Sequence, residues 1–206
     1  MQIIRGLTLL ACLTLLATAS AASTASRELF SGKDLTGWVK MFGGEWTVED
    51  GVLVGRNGTN WTTNPEHSGS WLRTEKEYGD FVLELEYAIN TNGNSGIHFR
   101  SALTKNPSFT GYEMQIVDDV GRDPRKSGTG SLYDVVAPAR NMSKPAGQWN
   151  QVRITCKGNR IQVNLNGEDI VDLPNASRSA RGFIGLQNHD ARSVIKYRNI
   201  RITELN

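Results

Sequence analysis

The chain has 206 residues, 38% hydrophobic and 21% charged, with 23 basic and 21 acidic side chains and a net charge of +2. Such a make-up suits one ordinary globular domain and argues against disorder, while two Cys are too few for a disulfide framework. The near-neutral balance excludes the broad basic field that grips nucleic acid or an anionic membrane, so ligand binding has to be local.

The first element in chain order is a leader. Arg5 precedes an apolar run over 7–17, and Ala19-Ser20-Ala21 supplies a small-x-small cleavage site, so residues 1–21 read as a secretory signal peptide. The run is too short for a membrane span, and no other segment offers one. A lipoprotein box, Leu9-Leu10-Ala11-Cys12, is the competing reading, but apolar sequence continues past Cys12. The expectation is therefore an exported protein, periplasmic or secreted. Loss of Arg5 leaves 22 basic and 21 acidic residues, a net charge of +1, and one thiol, Cys156. Val152, Ile154 and Cys156 alternate with Arg153, Thr155 and Lys157, which turns Cys156 into a core as an inert thiol. The sequons at Asn57, Asn60, Asn141 and Asn175 matter only in a eukaryotic secretory pathway.

Beyond the leader, period-two alternation recurs between Gly, Asn and Asp breaks, and helical periodicity is hard to find. The predicted strands are 46–48, 52–55, 71–74, 80–89, 95–100, 112–117, 149–157, 160–165, 182–188 and 196–204. Ten strands need two sheets, so residues 27–206 are expected to form one all-β domain of two stacked antiparallel sheets. Lys157-Gly158-Asn159-Arg160 and Leu165-Asn166-Gly167-Glu168 read as hairpin turns.

Several of these strands carry chemistry opposite their apolar face. Phe81, Leu83, Leu85 and Tyr87 oppose Glu84 and Glu86; Ile97 and Phe99 oppose His98 and Arg100; Met114 and Ile116 oppose Glu113 and Gln115. One sheet could carry Glu86, His98, Arg100, Glu113 and Gln115 on a single outward face. An ordinary solvated face is the plain alternative. A mixture of His, Arg, Glu and Gln with almost no Lys suits directional hydrogen bonding better than mere solubility. Trp61, in a polar loop, and Trp71 are candidates for stacking on a ring, whereas Trp38, Trp46 and Trp149 suit core or sheet-edge positions. The run Asp118 to Asp123 could offer oxygen ligands to a divalent cation, but its spacing is not that of an EF-hand and an Asp-rich turn explains it.

The segments Leu29 to Trp38, Asn94 to Arg100, Gly111 to Asp118, Gly130 to Tyr133, Gly147 to Asn150, Leu165 to Gly167 and Gly185 to His189 closely resemble the 3-keto-disaccharide hydrolase family. The likeness runs from about Glu28 to Leu205. It implies a concanavalin A-like jelly roll, related to laminarinases, with a sugar-binding groove on its concave sheet, and export from bacteria.

An ordinary glycosidase needs two carboxyl groups flanking the bond. The strand comparable to the laminarinase one reads Glu113-Met-Gln115-Ile-Val-Asp118, with Gln where the middle Asp belongs, which puts a double displacement in doubt. A 3-keto sugar opens another route, because the ketone acidifies the C2 hydrogen and the C1 substituent can leave by elimination before water adds. On this reading Glu113 or His189 is the base, Arg100 and His98 meet the charge developing on the C3 oxygen, and Tyr133 or Asp118 protonates the leaving oxygen. Gln115 and Gln187 orient sugar hydroxyls, with Glu86 and Trp61 as further substrate contacts. A divalent metal held by Glu and His could replace Arg100 as electrophile. The expected partner is a carbohydrate, with a homo-oligomer left open. The alternative function is a non-catalytic carbohydrate-binding module on the same fold.

Overall fold

The structure is a computed structural model and describes residues 25–60, 69–103 and 106–205. Thirteen strands and one short helix follow in chain order: β1 (Arg27–Glu28), β2 (Trp38–Met41), β3 (Glu45–Glu49), β4 (Val52–Arg56), β5 (Ser70–Tyr78), β6 (Phe81–Ile89), β7 (Asn94–Ser101), α1 (Pro107–Thr110), β8 (Tyr112–Val117), β9 (Asn150–Lys157), β10 (Arg160–Leu165), β11 (Glu168–Leu173), β12 (Gly182–Asn188) and β13 (Ile195–Glu204). The expected leader, residues 1–21, and Trp61 lie outside the described residues. Among the described residues no helix is long and apolar enough to cross a membrane.

The strands form an all-β sandwich of two antiparallel sheets. The larger runs β11-β10-β9-β6-β13-β4-β3, with β1 also on β13; the smaller runs β2-β5-β12-β7-β8. The ten-residue β13 takes two partners on one edge, β4 beside Ile195–Tyr197 and β1 beside Arg201 and Ile202. Alternation decides which side chains meet between the sheets. Phe81, Leu83, Ile154, Cys156, Ile161 and Val163 of the larger sheet are fully buried, as are Leu72, Ile97, Phe99, Met114, Ile116 and Leu186 of the smaller. Trp38 and Trp46 join this core, while Trp149 is half-buried with the Arg198 guanidinium 4.0 Å above its ring. Burial pushes the Cys156 thiol up to about 12, which makes it unreactive.

Three strands were not legible in the pattern. β1 is two residues long and β2 four, too short to establish a period. β11 pairs with β10 through a register shift between Val163 and Asn164, which breaks its alternation.

Candidate active site

The outward face of the smaller sheet is built row by row from strand register. Glu113 on β8 lies opposite His98 on β7, His98 opposite Gly185 on β12, and Gly185 opposite Arg73 on β5. The chain after β8 returns along the sheet edge, where Tyr133 N–H donates to the Glu113 carbonyl at 2.8 Å and Gln115 N–H donates to Ser131 at 3.0 Å. Tyr133 therefore continues the row of Glu113 and His98. In the next row Gln115 faces Gly96, and Gln187 faces Trp71.

Two glycines shape this face. A Cβ at Gly96 would collide with the Glu113 carboxyl group, and one at Gly185 with the Trp71 indole. Their lack of a side chain lets the carboxyl and the indole lie flat across the strands. Trp71 then meets His98 edge-on, with ring centroids 5.7 Å apart. It is fully buried, so the expected open stacking surface at Trp71 is instead a wall against His98.

Glu113 is 3% exposed. Burial pushes its carboxyl up to about 7, with a hydrogen bond from Ser108 working weakly in the other direction. His98 is fully buried and pushed down to about 3 by desolvation, so its imidazole is neutral. Both His98 ring nitrogens, Trp71 Nε1 and Gln187 Oε1 are buried without a hydrogen-bond partner among the described residues. Unpaired buried polar atoms are costly and rare, and here four gather on one face beside a carboxyl that titrates near neutrality. Such a cluster suits a polar ligand that supplies the missing partners.

Other expected members lie elsewhere. Glu86 belongs to the larger sheet on β6, where it meets Arg198 at 2.6 Å and Asn199 at 3.3 Å. Its alternation matches that of His98, but its strand pairs with β9 and β13, on the opposite side of the sandwich. Partial burial works against its charge, yet those hydrogen bonds hold its carboxyl below the ordinary range. Arg100 also leaves the face. Its φ of 52° turns the strand end over, and the guanidinium donates to the Gly79 and Gly158 carbonyls at 2.9 and 3.0 Å and to Asp80 at 2.9 Å. With 1% of its side chain exposed, Arg100 braces two hairpins and cannot meet an oxyanion.

Asp118 and His189 come together, but at one end of the face. Both border a cavity of about 300 Å³ with Asn92, Asn94, Asp190 and Arg192. His189 Nδ1 lies 3.0 Å from Asp190, and Asp118 accepts from Asn92 N–H at 2.9 Å. Residue 189 follows the end of β12, four positions beyond Gly185, so its backbone stands about 13 Å along the strand direction from the row of Glu113. Of the two expected candidates for the base, Glu113 lies in the row of His98 and Tyr133, and His189 lies at the end of the face with Asp118. Gln115 and Gln187 stay with Glu113, although Gln115 Oε1 is turned back to its neighbour Ile116 N–H at 3.0 Å.

The Asp-rich turn is a clasp. Asp119 accepts from Thr129 N–H and Asn141 and pairs with Arg125 at 3.1 Å. Among the described residues no three His, Cys, Asp or Glu side chains converge as a metal cage.

The sequence pattern did not single out Arg73 or the two glycines. Gly96 and Gly185 were visible inside the matched segments, but which side chains cross them depends on long-range register.

A family model described as a 3-keto-alpha-glucoside-1,2-lyase-like domain matches residues 25–203. A 3-keto-disaccharide hydrolase of Bacteroides thetaiotaomicron is 25% identical over 229 aligned positions, covering 86% of this chain and 77% of the relative. A Parabacteroides distasonis protein described as a candidate glycosyl hydrolase is 27% identical, with a TM-score of 0.73 over 89% of this chain and 95% of that one. A carbohydrate-binding module of Bacillus subtilis is similar in fold at 18% identity, with a TM-score of 0.56 over 80% of this chain and 94% of that one.

Proposed function

The chain belongs to the family of 3-keto-alpha-glucoside-1,2-lyase-like domains and is carbohydrate-active, and from that premise we propose that it cleaves 3-keto-glycosides by proton abstraction at C2. The observation that carries this reading is Glu113, buried, titrating near 7 and level with His98 and Tyr133 across three neighbouring chain segments.

A base is most useful when its pKa lies near the working pH. The Glu113 carboxylate takes the C2 proton, and the electron pair of that C–H bond moves onto the C3 oxygen as an enolate. Neutral His98 donates a hydrogen bond to this oxygen, which supports developing charge without a buried imidazolium. The enolate collapses to a C1–C2 double bond as the C1–O bond breaks, and the Tyr133 hydroxyl gives its proton to the departing oxygen. Water then adds at C1 and returns its proton to Tyr133, while protonated Glu113 returns a proton to C2. The sum is hydrolysis, with both side chains restored. Gln115 and Gln187 orient hydroxyls of the keto sugar. Export belongs to the same proposal: residues 1–21 are removed near Ala21, which sequencing of the mature N-terminus checks.

The test is incubation with a 3-keto-disaccharide and with its unoxidised parent. Release of 3-keto-glucose from the first alone is expected, and Glu113→Gln should reduce it about 10²–10⁴-fold. Saturable binding with no turnover of either sugar would instead identify a carbohydrate-binding module.

A further inference from the structure

Next to the proposed reaction centre stands a structured aromatic surface. Phe109, on α1, is 44% exposed, unusual for a large apolar side chain on this protein. Its ring centroid lies 6.1 Å from that of Tyr133, with the two planes tilted by 57°. The neighbour of Phe109 in the chain, Ser108, is close enough to Glu113 to favour its charged form, against the larger effect of burial. One turn of helix thus presents an aromatic ring beside the group that protonates the leaving oxygen.

The surroundings of Phe109 hold it in place. Asn106 caps α1, accepting from Ser108 N–H at 2.9 Å, and Pro107 presets the first helical residue. Arg178 Nη1 donates to the Ser108 and Gly111 carbonyls at 2.7 and 3.1 Å. Its guanidinium carbon sits 5.9 Å from the Phe109 ring and 5.6 Å from that of Tyr112. Holding a half-exposed ring this firmly suits recognition, since a rigid platform loses little freedom when a ligand settles on it. Tyr133 also borders a cavity of about 180 Å³ with Lys126, Ser127 and Asp134, whose polar groups can reach hydroxyls.

From this geometry we infer that Phe109 is the stacking platform for the leaving group, and that this leaving group is a second pyranose presenting its apolar face to the ring. The inference rests on the reaction proposed above, because the group protonated by Tyr133 must lie on the Tyr133 side of C1. Phe109 is a specificity-determining residue. It does not touch the atoms that react.

The experiment compares Phe109→Ala and Phe109→Trp with wild type on two substrates, a 3-keto-disaccharide and a methyl 3-keto-glucoside. Loss of the ring's apolar contact should raise KM for the disaccharide and shrink the preference for disaccharide over methyl glycoside by about tenfold. Phe109→Trp should keep that preference. An unchanged preference in Phe109→Ala would overturn the inference while leaving the reaction intact. Failure of wild type on both substrates would count against the reaction, and calorimetric titration with the unoxidised disaccharide then decides the platform. Weaker binding by Phe109→Ala supports it; equal binding by the two proteins refutes it.

Discussion

At the scale of single residues, two buried titratable groups pull stability in opposite directions with pH. Glu113 is raised from 4.5 to about 7, so the folded state holds its proton more tightly. Its contribution is full below pH 4.5 and is lost as pH rises through 7, at a cost of about 3 kcal/mol. His98 is lowered from 6.5 to about 3, so its contribution is present above pH 6.5 and is lost as pH falls through 3. Between pH 4.5 and 6.5 the two slopes cancel. Glu113→Gln removes the alkaline limb, and urea unfolding should show it gaining about 3 kcal/mol over wild type between pH 4.5 and pH 8. The same ionisation governs catalysis: wild-type kcat/KM should rise through about pH 7 as Glu113 loses its proton. A flat profile between pH 5 and 9 would remove Glu113 from the role of base.

At the scale of elements, β7 and β8 show how far a sequence can be read. The apolar alternation of Ile97, Phe99, Met114 and Ile116 correctly turned His98, Glu113 and Gln115 to the outward face. The identical alternation of β6 placed Glu86 outward too, but an alternation does not state which sheet a strand joins. That depends on pairings separated by long stretches of chain. Arg100 escaped for another reason. Its positive φ is a single-residue reversal, uncommon for a non-glycine residue and stabilised by Gly79, Asp80 and Gly158 at distant turns. As a brace, Arg100→Met should lower stability by roughly 2–4 kcal/mol, because Asp80 and two carbonyls lose their donor. The activity of the folded protein should stay within about twofold of wild type, whereas loss of an oxyanion donor costs about 10²–10³-fold. The glycine beneath Trp71 gives a second test. Gly185→Ala forces the indole off the strand, and thermal melting should register a loss of about 1–3 kcal/mol together with altered tryptophan fluorescence.

At the scale of the whole molecule, the two sheets divide the work. The larger sheet ties its outward charges into pairs such as Glu84 with Arg153, Glu86 with Arg198 and Arg160 with Asp172. Among the described residues, the smaller sheet leaves Trp71, His98 and Gln187 polar atoms unpaired around the Glu113 carboxyl. A near-neutral chain can therefore concentrate its chemistry on one face without a strong overall field. The most direct measurement uses a 3-keto-disaccharide carrying deuterium at C2 of the keto sugar. Abstraction by Glu113 predicts slower release than from the unlabelled substrate, with deuterium appearing in solvent to the extent that the deuteron on Glu113 exchanges before it returns to C2, and both signals vanishing with turnover in Glu113→Gln. Equal release rates with full retention of deuterium in the product would contradict proton transfer at C2.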